Sequence, residues 1–193
     1  MNFPSAQNYI VGRLEKELPK ILYYHRFEHT MDVYESALRL IEMEGTDLHS
    51  GKLIVTAALF HDAGMTISYK EHEQASVEIA RKILPGFDYS KEEIEEISSL
   101  ILITKMPQAA ITQNQMIICD ADLDALGRED FFITSLRLQL EWKLFGIMDT
   151  NLNEWFKYEI GFIEKHKYYT SSARKLRDAQ KQRNLIELKN LIH

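Results

Sequence analysis

The chain has 193 residues, of which 45% are hydrophobic and 27% are charged, as in an ordinary globular protein with one sizeable core. Its 23 basic and 29 acidic residues give a net charge of -6, which disfavours a general nucleic-acid binder that neutralises many phosphates. The single cysteine, Cys119, excludes an intramolecular disulfide and a cysteine-rich zinc site. Any metal ligands must therefore be His, Asp or Glu.

Three features of the sequence point to a cytoplasmic protein. The lone cysteine fits a reducing compartment. No stretch reaches the roughly 18 apolar residues of a membrane span. The first residues show no basic segment followed by an apolar one, as a secretory signal would. We therefore expect one cytoplasmic domain over residues 1–193 with no membrane partner.

The spacing of apolar residues predicts an all-α fold. Turn residues are scarce, with 8 Gly and 4 Pro, and apolar residues recur every three or four positions, as on one face of a helix. Ser5 is expected to cap the first helix and Pro19 to end it. The predicted helices are 5–19, 23–45, 47–64, 71–84, 90–103, 116–127, 131–145, 151–169 and 172–192, with a loop over 104–115.

An apolar stretch over 53–60 ends in His61 and Asp62, followed closely by Gly64. A helix that is apolar on all sides belongs in a core, where water cannot stabilise a carboxylate. We therefore expect a cation beside the His61-Asp62 pair.

Further ligands come from two other stretches. His25 and His29 are four residues apart and would share the inward face of the second predicted helix. In MIICDADLDALG, Asp120 directly follows apolar residues and is expected to face inward, whereas Asp122 lies about 200° around a helix. Asp122 stays open as the alternative, since one extra residue in a turn would rotate it inward.

Two imidazoles and two carboxylates without a thiolate suit a divalent Mn, Fe, Ni, Mg or Zn ion. The set consists of His29, His61, Asp62 and Asp120. On a six-coordinate ion it leaves two positions for water or substrate, as catalysis requires.

The order His, then His-Asp, then Asp in a helical chain resembles the HD-domain superfamily of metal-dependent phosphohydrolases. The matching stretches are YYHRFEHT, LFHDAG and IICDADLDALG. The resemblance implies a single-domain HD-type helical bundle with the metal site between core helices. It places the metal-site core at about 23–127 and variable C-terminal helices at 128–193.

Carried over residue by residue, the resemblance implies that His29, His61, Asp62 and Asp120 bind one divalent ion. Relatives with two ions often have a later histidine where this chain has Thr104. Only His72, with Glu73 as a further ligand, remains for a second ion, so we expect a single one.

The implied reaction is hydrolysis of a phosphomonoester or phosphodiester of a small nucleotide-like substrate by a metal-activated water. Asp62 would also orient the water, and His25 and His72 would protonate the leaving oxygen or bind the phosphate. Lys105 and Lys70, in the loops beside the cleft, and Arg26 would neutralise phosphate charge.

Several of these residues have alternative interpretations. His25 could be a core histidine that orients His29, His72 could belong to a helix start, and the two lysines could be solvated. His49, His166 and His193 lack a motif and are expected at the surface. One aromatic set is spaced like core packing, with a base-binding pocket as the alternative: Trp142, Phe145, Trp155, Phe156, Tyr158 and Phe162.

Two functions of different classes therefore remain. The first is the phosphohydrolase, acting on a small phosphorylated substrate such as a nucleotide. The second is a degenerate HD module that binds a nucleotide or partner without turnover. All four ligands are present, which favours the enzyme. A homodimer through the C-terminal helices is a further expectation.

Overall fold

The computed structural model describes residues 1–192, so the expected surface position of His193 lies outside it. Within residues 1–192 the fold is all-α, as predicted, and contains no strand. The helices are α1 (Phe3–Glu17), α2 (Phe27–Met43), α3 (Leu48–Phe60), α4 (His72–Ile83), α5 (Lys91–Leu102), α6 (Gln113–Asp122), α7 (Phe131–Leu144), α8 (Leu152–Lys165) and α9 (Ser171–Leu191). Short 3₁₀ turns occupy Ala63–Thr66, Leu84–Phe87 and Asp124–Gly127.

Helix α3 is the centre of the larger hydrophobic core. Every residue from Leu53 to Phe60 is buried, because α1, α2, α4, α5 and α6 all pack against this helix. His61 and Asp62, which directly follow the last turn of α3, are therefore buried as well.

A second, smaller core forms where α7, α8 and α9 meet. Its buried members are Leu126, Phe131, Trp155, Phe156, Ile163, Leu185 and Leu188. This cluster supports one wall of the large cavity described below.

Three predicted helix starts are wrong, and each has a local cause. Helix α6 begins at Gln113 instead of residue 116, because the Thr112 side chain caps it inside the predicted loop. The side chain of Asn2, rather than Ser5, caps α1 by accepting a hydrogen bond from the Ser5 amide. Helix α2 begins at Phe27 instead of residue 23, because the amides of Tyr24 and His25 donate to the Glu141 carboxylate at 2.8 and 3.1 Å. His25 therefore precedes the helix that carries His29.

Three predicted helix ends also come earlier than expected, and one is that of α8, which ends at Lys165 instead of residue 169. Helix α3 ends at Phe60 and α6 ends at Asp122, and a 3₁₀ turn follows each within three residues. His61, Asp62 and Asp122 therefore lie at or just beyond helix ends, where side chains from different helices converge.

The isolated histidines differ in exposure. The His49 side chain is exposed, as expected. His166 is half-buried beside Tyr168 and Lys181, so its predicted surface position is wrong. Burial and the Lys181 ammonium lower the pKa of His166 to about 4.

No helix within residues 1–192 is both long enough and apolar enough to cross a membrane.

Gly64 lets α4 pack against the turn that follows the His61-Asp62 pair. A β-carbon at this position would lie 2.8 Å from the Ser76 amide nitrogen and 2.9 Å from the Ala75 β-carbon, and closer still to the His72 carbonyl oxygen. The Gly64 amide also donates to the Ser76 hydroxyl at 2.7 Å. There is no room for any larger residue here.

We predict that Gly64→Ala lowers the free energy of unfolding by about 2 to 3 kcal/mol, because backbone and not a flexible side chain must move. Gly12→Ala is the matched control. Its β-carbon would meet nothing within 4 Å inside α1, so this change should stabilise the protein by up to about 1 kcal/mol. Urea unfolding measures both variants, and equal effects would contradict the close packing at Gly64.

Candidate metal centre and substrate cavity

His61 directs its Nε2 atom to the interior, towards Asp62. Its Nδ1 donates to the Ala58 carbonyl oxygen at 2.7 Å, which leaves Nε2 as an acceptor in the neutral ring. This Nε2 lies 3.1 Å from Oδ2 of Asp62, the next residue. Both side chains are almost completely buried.

His29 and Asp122 complete a compact group around this pair. The Nε2 atom of His29 lies 3.4 Å from His61 Nε2, 3.5 Å from Asp62 Oδ2 and 3.5 Å from Asp122 Oδ1. Asp122 Oδ1 lies 3.6 Å from His61 Nε2. Ligands of an ion bound at about 2.1 Å are spaced by roughly 3 to 3.5 Å, so these four side chains could hold one metal ion.

Asp120, which was expected as the fourth ligand, lies outside this group. Its carboxylate accepts hydrogen bonds from the Tyr169 amide at 2.8 Å, the Thr170 amide at 2.7 Å and the Thr170 hydroxyl at 2.8 Å. These amides lead into the start of α9, where the helix dipole favours a negative charge. Asp120 therefore anchors α9, and Asp122 takes its place beside His29 and His61.

The Asp62 carboxylate shows that the group fits a cation. Its Oδ2 atom is buried and has no hydrogen-bond partner among the described residues, although imidazole nitrogens lie close to it. An unpaired buried carboxylate oxygen is costly, and a metal ion would remove that cost.

The negative charges of Asp62 and Asp122 also change the pKa of His61. Burial alone would lower the pKa of His61, but Asp62 and Asp122 outweigh burial and raise it to about 9. Burial would likewise raise the pKa of Asp62, but His61 and His25 hold it well below the usual range. The site thus attracts positive charge, whether a proton or a metal ion.

His25 and His72 form a second group with Asp62 whose nitrogen and oxygen atoms lie close enough together to hold an ion. His72 Nδ1 lies 3.0 Å from the Tyr69 carbonyl oxygen, which directs Nε2 to Asp62 Oδ1 at 3.4 Å. Glu73, expected as a further ligand, lies 3.6 Å from His72 Nε2. Asp62 belongs to both groups, because its Oδ2 atom lies near His61 and His29 and its Oδ1 atom lies near His72.

Glu141 is a residue of the site that the sequence analysis missed. It is fully buried on α7 and accepts hydrogen bonds from the Tyr24 and His25 amides, from His25 Nδ1 and from the Tyr69 hydroxyl. Burial would raise the pKa of Glu141, but His25 and these amides lower it. No motif marks this residue, because it is one acid within an amphipathic helix and its partners lie more than 70 positions away.

A cavity of about 580 Å³ opens from the second group. Its near end contains His25, Asp62, His72 and the exposed Lys70. Lys105 also lines it, but its ammonium pairs with the exposed Glu71 carboxylate at 2.6 Å. Such an exposed pair is weak, so it leaves Lys105 available to an incoming anion.

Arg26 lines a different, smaller cavity of about 230 Å³, together with Arg128 and Arg137. His29 and Asp122 also line this cavity, so it lies on another side of the same metal group. The Arg26 guanidinium is 3.4 Å from Glu28. Arg26 is thus near the site but does not line the cavity that contains Lys70 and Lys105.

The far end of the large cavity is mostly apolar and aromatic. It is lined by Leu126, Phe131, Leu138, Trp142, Tyr158 and Phe162. From the aromatic set with two interpretations, Trp142, Tyr158 and Phe162 line this cavity, whereas Trp155 and Phe156 are buried in the smaller core.

The family model of the HD domain matches residues 26–125, which is slightly more than half of the chain. The chain belongs to the HD domain family. The matched residues include His29, His61, Asp62 and Asp122.

Two solved structures share the fold over nearly the whole chain. A protein described as a predicted HD superfamily hydrolase from an uncultured Thermotogales bacterium has a TM-score of 0.64 and 21% identity, over 97% of this chain and 89% of that one. YpgQ from Bacillus subtilis, solved in complex with ADP, has a TM-score of 0.69 and 19% identity, over 99% of this chain and 95% of YpgQ.

An uncharacterized protein from Clostridium beijerinckii is 37% identical over 81 residues, which are 40% of this chain and 51% of that protein. The match thus spans about half the length of this curated relative.

We predict opposite effects for the two neighbouring aspartates. Asp122→Ala should abolish retention of Mn²⁺ after dialysis while leaving the unfolding of metal-free protein nearly unchanged. Asp120→Ala should lower the free energy of unfolding by about 2 to 4 kcal/mol, because it leaves the Tyr169 and Thr170 amides without their acceptor. Its Mn²⁺ content should stay close to that of the wild type.

Elemental analysis and urea unfolding in EDTA measure these two properties separately. Loss of Mn²⁺ from the Asp120 variant at unchanged stability would restore Asp120 as a ligand.

Glu159 on α8 makes folding stability depend on pH. It is buried beside the cavity, and burial raises its pKa from 4.5 to about 7, although a hydrogen bond from Ser135 opposes the shift. The folded state therefore holds this proton more tightly than the unfolded chain, so the contribution to stability is lost as pH rises from about 4.5 through 7.

We predict that Glu159→Gln gains stability relative to the wild type between pH 5 and pH 8, by up to about 3 kcal/mol. The control is Glu164→Gln on the same helix, whose carboxylate is half-exposed. Urea unfolding at both pH values should show a constant difference for the control. The same constant difference for Glu159→Gln would contradict the burial argument.

Proposed function

We propose that the protein is a metal-dependent phosphohydrolase that cleaves a phosphomonoester or phosphodiester bond of a small nucleotide-like substrate. The observation that carries this proposal is the buried, unpartnered Oδ2 of Asp62, which faces the ring nitrogens of His61 and His29. Membership of the HD domain family and the fold shared with an HD superfamily hydrolase support the same class of reaction.

The proposed ligands of the ion are His29, His61, Asp62 and Asp122, and we expect one ion per chain. A divalent ion held there would polarise a phosphoryl oxygen and lower the pKa of water to near neutrality. The donor set suits Mn, Fe, Ni, Mg or Zn.

The chain's own residues would bind the phosphate and supply a proton. His25 and His72 have Nε2 atoms on the cavity side, since Nδ1 of each is held by Glu141 or by the Tyr69 carbonyl oxygen. Either ring, when protonated on both nitrogens, could donate the proton of Nε2 to the leaving oxygen. Lys70 and Lys105 would neutralise phosphate charge at the cavity entrance.

Two observations support a nucleotide as substrate. The cavity joins a group of histidines and lysines to an aromatic end, as a phosphate and a base would require. YpgQ, which shares the fold, was solved in complex with ADP. Arg26, from the smaller cavity, would contact a second phosphate. A homodimer through the C-terminal helices stays a prediction.

We predict that Mn²⁺-loaded wild type contains about one ion per chain and hydrolyses phosphate esters, and that Asp62→Ala loses both the ion and at least about a thousandfold in turnover. The control is Asp178→Ala on α9, whose carboxylate is exposed and lies outside both cavities. It should keep full activity. Elemental analysis, circular dichroism and phosphate release from a panel of nucleotides measure these properties.

The other outcomes of this experiment are also informative. Two ions per chain would assign His25 and His72, with Asp62 between them, to a second metal. If Mn²⁺, Ni²⁺ and Mg²⁺ all failed to bind, the phosphohydrolase would be excluded. Nucleotide binding without turnover, with the ion in place, would indicate the non-catalytic module instead.

A further inference from the structure

Glu159 is an unusual residue in the large cavity. It lies on α8 among the aromatic side chains of the far end, and only 4% of its surface is exposed. The metal group and its four proposed ligands do not involve it. Its position therefore needs a separate explanation.

The hydrogen bonds around Glu159 have a fixed direction. The indole Nε1 of Trp155 can only donate, and it donates to the Ser135 hydroxyl at 2.8 Å. Ser135 must then donate its own proton onward to Oε1 of Glu159, at 2.9 Å. Oε1 is thus an acceptor held in place by two buried residues, and the carboxylate cannot rotate without breaking this chain.

Within residues 1–192 the hydrogen bond from Ser135 to Oε1 is the one that Glu159 forms, and Oε2 is not one of the fully enclosed oxygens without a partner, so it stays open to the cavity. Glu141, which is equally buried, provides the contrast, because its two oxygens together accept four hydrogen bonds. Burial raises the pKa of Glu159 to about 7, so the group is a carboxylate above that pH, and a ligand that donates to Oε2 would then gain affinity.

We propose that Glu159 selects the substrate by accepting a hydrogen bond from an N–H group on the edge of a nucleobase-like aromatic ring. This inference rests on the proposed function, because the phosphate of the same molecule would lie at the histidine end of the cavity. The aromatic side chains of Trp142, Tyr158 and Phe162 would contact the faces of the ring. A volume of about 580 Å³ is within the range of small-molecule sites.

The chemistry of the pocket favours this ligand over a purely apolar one. An alkyl chain would fill the aromatic end but would leave Oε2 of Glu159 buried and unpaired, at the cost of its desolvation. A ring with an N–H donor satisfies the carboxylate, and its flat faces stack on aromatic side chains. Glu159 is therefore expected to reject rings that lack such a donor.

The test uses nucleosides, which carry no phosphate and need no metal ion. Calorimetry on the metal-free full-length protein at about pH 8.5, where Glu159 is a carboxylate, compares adenosine, guanosine and purine riboside, whose base has no N–H group. We expect at least one of the first two to bind, and purine riboside to bind roughly tenfold or more weakly. Because this comparison uses the wild type, it does not depend on any variant.

The variant Glu159→Gln should weaken binding of the preferred nucleoside roughly tenfold or more and leave purine riboside unchanged. Glu164→Gln, on the same helix and half-exposed, should change neither affinity. Equal binding of purine riboside and the preferred nucleoside, or unchanged binding by Glu159→Gln, would overturn the inference. So would the absence of any nucleoside binding, or tight binding of a simple alkylammonium in its place.

The same nucleosides keep this inference distinct from the proposed function. Selective nucleoside binding by a protein that hydrolyses no phosphate ester would uphold the role of Glu159 and reject the phosphohydrolase. Hydrolysis of 4-nitrophenyl phosphate by a protein whose nucleotide KM is unaffected by Glu159→Gln would do the reverse.

Discussion

The burial of Asp62 is the constraint on which the rest of the site depends. Helix α3 is surrounded by five other helices, so its last turn can only deliver the following residues into the interior. A carboxylate in that position must be balanced by positive charge. Without an ion, the imidazolium of His61 supplies part of this charge, because the carboxylates raise its pKa to about 9, and a divalent ion could supply more. The arrangement therefore favours a cation between His29, His61, Asp62 and Asp122.

Three other buried acids show how differently a fold can satisfy a carboxylate. Asp120 is stabilised by hydrogen bonds from the protein, because the amides of Tyr169 and Thr170 donate to its two oxygens. Glu141 is satisfied by His25, by Tyr69 and by two backbone amides, and it thereby fixes His25 beside the cavity. Glu159 receives only one hydrogen bond, from Ser135. Asp120 and Glu141, whose oxygens all accept hydrogen bonds from the protein, have structural roles. Asp62 and Glu159, which each have an oxygen without such a bond, face the metal group or the cavity.

The helices and the His61-Asp62 pair could be predicted because they depend on local patterns, namely apolar spacing and a ligand pair after a buried run. Asp122 could not be separated from Asp120 in this way, because the choice depends on α9, which lies about 50 positions further along the chain. The helical position of His25 was wrong for a similar reason, since Glu141 holds residues 24 and 25 outside α2. The angular position of a residue around a helix predicts whether its side chain is buried. It does not predict which of two buried side chains contacts a residue of a distant helix.

The two ends of the large cavity come from different parts of the chain. The part that matches the HD family model, residues 26–125, contributes the metal group and the histidines and lysines at the near end. The aromatic end comes almost entirely from α7 and α8, which lie beyond that match. Under the proposed function, the donors of the ion would thus come from the family core, and the surface that contacts the rest of the substrate would come from the helices that follow it.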